Sequence, residues 1–221
     1  MKKILARYLI FTVGLYLLSL GIVLIIRSAL GTTPISSLNY VVSINTSLSL
    51  GTCTFIQNLF LIVAQFWLIR GNSSRKKIFE ILMQLPFSFV FGAFIDFNMY
   101  LCNNITPNSY IASIILLLIG CVVQSTAVVL EVKPNVVMMS AEGFVKYSAD
   151  RYNKEFGKIK RKFDIFLVVL AVLASLMMSK HIQGVREGTV IVALITGTIV
   201  TFISQKLLTR RNYDRIRNRA R

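Results

Sequence analysis

The chain has 221 residues, 55% hydrophobic and 15% charged, with a formal net charge of +16 and a mean hydropathy of +0.67. A soluble domain carries about a quarter charged residues, so this composition excludes an ordinary soluble protein, and the apolar runs leave too little chain for a separate soluble domain. Nucleic-acid binding, the usual reading of such a charge, is the weaker one here because the cations cluster between apolar runs.

The first apolar run, 9–26, exceeds the roughly 7–15 residues of a secretory signal core, and no small-x-small cleavage site follows it. It is predicted as a permanent span. Gly14, Gly21 and Ser28 recur on it every seven residues, a spacing of small residues that lets helices approach closely in lipid. Runs 52–69, 78–101, 110–130, 163–179 and 189–208 are each near the roughly 17–25 residues that cross a bilayer as helix, giving six predicted transmembrane helices. Two further segments, RSALGTTPISSLNY (27–40) with its continuation, and PNVVMMSAEGFVKYSAD (134–150), fall between spans. The stretches 33–44 and 134–150 are read as re-entrant or interfacial. Were 33–44 to cross, the basic turn RGNSSRKK (70–77) would face away from the other cations. Gly31 and Pro34 interrupt helical bonding there, and nearby hydroxyls can replace it locally.

With that topology every Lys and Arg except Arg27, Lys180 and Arg186 lies on one side. The positive-inside rule makes that side cytoplasmic, together with both termini and the basic tail 209–221, which attracts anionic headgroups. At an offset of 106, Gly14 meets Gly120, Ser19 meets Ser125, Arg27 meets Lys133, Gly51 meets Gly157 and Asn58 meets Asp164. The chain therefore reads as one integral membrane domain, 1–221, of two halves near 1–105 and 106–208. Each half is span, re-entrant segment, span, span. Three spans per half require the second copy to be inverted, a pattern that points to a transporter's central site.

Ionisable groups within spans are costly and usually pair or line a pathway. Asp96, in FGAFIDF, is either a structural ion pair with Arg27 or Arg186 or part of a vestibule for an anion or coupling ion. Glu142, on the second interrupted segment, is either a proton or cation site or an interfacial partner of Lys146 at i,i+4. Gln57, Asn58, Gln65, Gln84 and Gln124 either bond across helices or line a polar route. Arg186 and Glu187 precede the last span and can cap it or close a gate. Arg27, Thr32, Thr33 and Ser36 complete the candidate substrate-binding set with Asp96, Glu142 and Arg186. Cys53, Cys102 and Cys121 have no metal spacing, and a Cys53–Cys102 disulfide stays open. No nucleophile, phosphate-loop or dinucleotide motif appears, so neither an enzyme nor a bound cofactor or metal is expected.

The ordered set RSALGTTPISSLNYVVS, FGAFIDF, AEGFVKYS, EFGKIKRKFD and GVREGT resembles YitT/YczE-type bacterial membrane proteins over nearly the whole chain. The resemblance implies a multipass protein of the bacterial cytoplasmic membrane and supplies no substrate. The expectation is an all-α, six-span transporter of a small polar or anionic solute whose partners are the bilayer and that solute, not nucleic acid, with homo-oligomerisation left open. The alternative is a non-transporting accessory or sensor that acts through a partner or anionic lipid.

Overall fold

The computed structural model describes residues 2–71, 74–134 and 136–207; the basic tail 209–221 lies outside the described residues. Every apolar run forms a helix: α1 (Lys2–Arg27), α2 (Pro34–Asn45), α3 (Leu50–Leu68), α4 (Arg75–Leu82), α5 (Gln84–Leu101), α6 (Tyr110–Val132), α7 (Ser140–Tyr152), α8 (Phe156–Ser179) and α9 (Glu187–Leu207). Five stretches, Leu5–Arg27, Leu50–Leu68, Arg75–Leu101, Tyr110–Val132 and Phe156–Ser179, are long and apolar enough to cross a membrane. The sixth expected span, α9, is a helix of 21 residues, but its described apolar stretch, Glu187–Ile203, is shorter than the other five.

The expected span 78–101 is broken at Met83, where α4 ends and α5 begins. Pro86 explains the break, because its ring has no N–H and crowds the carbonyl four residues back, that of Leu82. In the opening segment Pro34 starts a helix rather than interrupting one. It is the first residue of α2, and Thr33 caps the helix by accepting from the Ser36 N–H, as suits a proline whose missing N–H would be unpaired anyway. The interruption lies earlier, where Ala29 and Gly31 take positive φ values of 59° and 141°. The three cysteines are free thiols, so the disulfide between Cys53 and Cys102 does not form.

Helices α1 and α6 form the centre. They run antiparallel, Gly14 lying against Glu131, Gly21 against Gln124 and Gly120 against Ile25. A Cβ at Gly21 would stand 2.7 Å from the Gln124 backbone nitrogen, so the small-residue stripe is where the two backbones meet. Helix α5 runs parallel to α1, with Phe11 on Phe87, Tyr16 on Phe94 and Asn98 donating to Ser19. Helix α9 lies along α6, where the Ser125 hydroxyl donates to the Thr196 carbonyl. Helix α3 packs antiparallel on α5, and α8 packs on α2.

The short helices α2 and α7 have 12 and 13 residues, about 18–20 Å of helix against a core of about 30 Å. They sit at opposite ends of the bundle. Arg151 of α7 donates to the Trp67 and Leu68 carbonyls and stacks over the Trp67 ring. This is the basic end, where Arg7 also donates to the Pro134 carbonyl. At the far end Asn45 of α2 donates to Gln183 and Gly184 packs on Tyr40.

Candidate functional site

The seven residues singled out from the sequence do not form one site. Arg27 closes α1 and donates to the Met99 carbonyl at 2.8 Å and to Asn103 at 3.1 Å, tying α1 to the end of α5. Its Nε is buried without a partner. Thr32 belongs to a far-end knot: its N–H donates to Thr189 Oγ1 and its hydroxyl to the Gly184 carbonyl. Arg186 joins that knot by donating to the Ala29 carbonyl at 3.1 Å. Thr33 and Ser36 bond each other at the start of α2.

Asp96 stands apart. Its carboxylate accepts from Ser49 Oγ at 2.6 Å and from the Gly51 N–H at 2.7 Å. It therefore caps the first turn of α3 from a neighbouring helix, where a helix N-terminus favours negative charge, and it takes these partners rather than Arg27 or Arg186. Gly51 is required there, since a Cβ would meet the Gly92 carbonyl oxygen and stand 2.6 Å from the Asp96 carboxylate. Glu142 lies toward the basic end, in the first turn of α7. It is close enough to Asp164 of α8 for the two carboxylates to repel, and Lys160 holds Asp164 at 2.6 Å.

The amides divide as well. Gln65 and Gln84 bond each other reciprocally at 2.9 Å, and Gln65 also donates to the Ser140 carbonyl. Ser88 bonds Ser140 through their hydroxyls. This buried group fixes the start of α7. Nearby, Tyr147 donates to Glu80, and burial first, then the Glu80 carboxylate, push its phenol up to about 12. Gln57 differs: both its amide atoms are buried and without a partner.

Gln57 lies in the wall of a groove of about 710 Å³ between α3 and α8, completed by α2 and α7. The volume falls in the range that holds a small-molecule ligand. The walls are almost wholly apolar, with Asn39, Gln57, Ser148, Tyr152 and Lys162 as the polar or charged lining residues. None of the seven expected residues lines it.

The lining has an internal order. Leu38 and Phe144, Val42 and Ser148, Cys53 and Ile159, Ile56 and Lys162, Gln57 and Phe163, Phe60 and Phe166, and Leu61 and Leu167 all line it, and each pair is 106 residues apart. Only Asn39, Leu48, Ala64 and Tyr152 lack a counterpart in the lining. Helix starts repeat the offset, Pro34 with Ser140 and Leu50 with Phe156. So does packing: α1 with α5 and α6 with α9, α2 with α8 and α7 with α3, α2 with α3 and α7 with α8. The contacts of α4, a helix with no counterpart 106 residues on, are exceptions, and the largest exception is the α3–α5 contact, which α8 and α9 do not reproduce. Phe202 stands 106 residues after Asp96, so the second half lacks the carboxylate that joins those helices in the first.

Sequence reasoning passed over Lys162, which it counted among cytoplasmic cations. The offset that pairs Ile56 with Lys162 was the available signal. Among the described residues no three His, Cys, Asp or Glu side chains cluster closely enough to hold a metal ion.

The chain is 32% identical over 130 residues to the uncharacterized protein YyaS of Bacillus subtilis (strain 168), a match covering 58% of this chain and 61% of that protein. The chain thus spans about three fifths of the length of the curated relative it matches. No solved structure matches. Residues 5–205 match a family described as a family of unknown function (DUF6198), and with nine tenths of its length inside that match the chain belongs to this family.

Proposed function

We propose that the protein is a transporter of the bacterial cytoplasmic membrane, built from two inverted three-span repeats and carrying a small anionic solute through the groove between them. In this reading α1, α3, α5, α6, α8 and α9 are the six spans, and α2 and α7 are the interrupted segments of the two halves. The basic end faces the cytoplasm, as the positive-inside rule requires. The narrower kinship with YitT/YczE-type proteins is part of the same proposal.

The observation that carries it is the groove lining, whose residues pair at 106 across the two halves. Transporters of repeated architecture place their substrate at the repeat interface, beside interrupted helices. The mostly apolar wall with a few polar groups is the usual make-up of a small-molecule site. Lys162 supplies the charge for an anion, and Gln57 an unused donor and acceptor. Glu142, on the interrupted segment α7, is the coupling candidate, since ionisable groups at such segments mark ion and proton pathways.

Reconstitution in liposomes tests this. Uptake from a panel of organic anions should depend on an imposed proton gradient and fall at least tenfold in Lys162→Gln and Glu142→Gln. A panel without uptake in either gradient direction, from protein shown to be folded and inserted, would reject transport.

A further inference from the structure

We infer that, while no solute is bound, this groove holds an anionic phospholipid taken sideways from the bilayer, one acyl chain lying between α3 and α8 with its phosphate on Lys162. The inference rests on the groove being the binding site proposed above, and on membrane embedding, but not on transport.

Three features choose this occupant. First, the groove is open along its side, and its rim residues Ile56, Phe60 and Phe166 are exposed apolar side chains. In a membrane they belong to the lipid-facing belt, so the molecule with direct access is lipid. The volume, about 710 Å³, suits one chain while the second remains in the bilayer.

Second, the charge is placed at one end. Lys162 is a groove residue on the basic first turns of α8. Its neighbours Lys158 and Lys160 are paired with Glu155 and Asp164, whereas no acidic partner is described for Lys162. A cation at the mouth of an apolar slot matches an amphiphile with an anionic head, and a basic residue near a bilayer surface favours anionic lipid. Third, Gln57 keeps a buried amide with no protein partner on the same wall. An acyl ester carbonyl supplies an acceptor for it, which a plain hydrocarbon would not.

The test is native mass spectrometry of the full chain in detergent, titrated with phosphatidylglycerol and with phosphatidylcholine of the same acyl chains. One phosphatidylglycerol should be retained about fivefold more tightly than phosphatidylcholine, the preference expected of one surface cation. Lys162→Gln should abolish that preference, and Lys154→Gln, a cation outside the groove, should keep it. Ala64→Trp, which narrows the slot, should weaken retention of both lipids. Lys162 is exposed, so its variant keeps the test valid if Ala64→Trp does not fold. Equal retention of the two lipids, or an unchanged preference in Lys162→Gln, overturns the inference. Lipid retention without solute uptake would sink transport alone; uptake of a water-soluble anion without lipid selectivity would sink this inference alone.

Discussion

Asp96 shows how a costly charge is kept within an apolar helix. It is held by the Ser49 hydroxyl and the Gly51 N–H at the start of α3, and charge-assisted bonds of this kind are about twice as strong as neutral ones. Asp96→Ala should lower stability by about 2 kcal/mol, the upper range for a lost cap. Asp96→Asn, which keeps an acceptor, should lose less, and thermal melting in detergent reads both. Tyr147 makes a second residue-scale prediction. Its phenol is pushed up to about 12 from 10, so the folded state holds that proton more tightly than the unfolded chain does. The stabilisation is complete below pH 10 and lost as pH rises toward 12. Absorbance titration of the phenolates should show that Tyr147→Phe removes a group ionising near pH 12; removal of one ionising at pH 10 would contradict the assignment.

At the scale of elements, glycines set which helices touch. A Cβ at Gly143 would lie 2.6 Å from Gln65 Oε1 and 2.8 Å from Gln84 Nε2. Gly143→Ala should therefore part the amide pair that anchors α7, at about 1–3 kcal/mol for each polar group left unpaired. Gly197, with nothing within 4 Å, serves as the control: Gly197→Ala should leave the melting temperature unchanged or raise it, since alanine is the better helix former. The extents of α3 and α6 and the end of α1 were legible from apolar length, as was the seven-residue stripe that joins α1 to α6. The break at Met83 and the early start of α8 were not. Both lie where composition stays continuous, and only the carbonyl opposing Pro86 or the packing of the first basic turns draws the boundary.

For the whole molecule, cysteine labelling tests the topology without any ligand. The native thiols are buried, so single cysteines at Ser74 and Asn153 should react only from the cytoplasm, and those at Ser47 and Ser109 only from outside. Reaction at Ser74 from outside would remove the proposed inversion. Sequence alone determined the all-helical class and the membrane-length apolar stretches, because hydropathy is a property of chain order. Only the tertiary structure decided which polar groups share a site. It sent Asp96 to a helix cap and Arg27 to the end of α5, and brought Gln57 and Lys162 to one groove. A side chain's partners are set by which helix faces meet, and residues a hundred positions apart carry no local mark of that meeting.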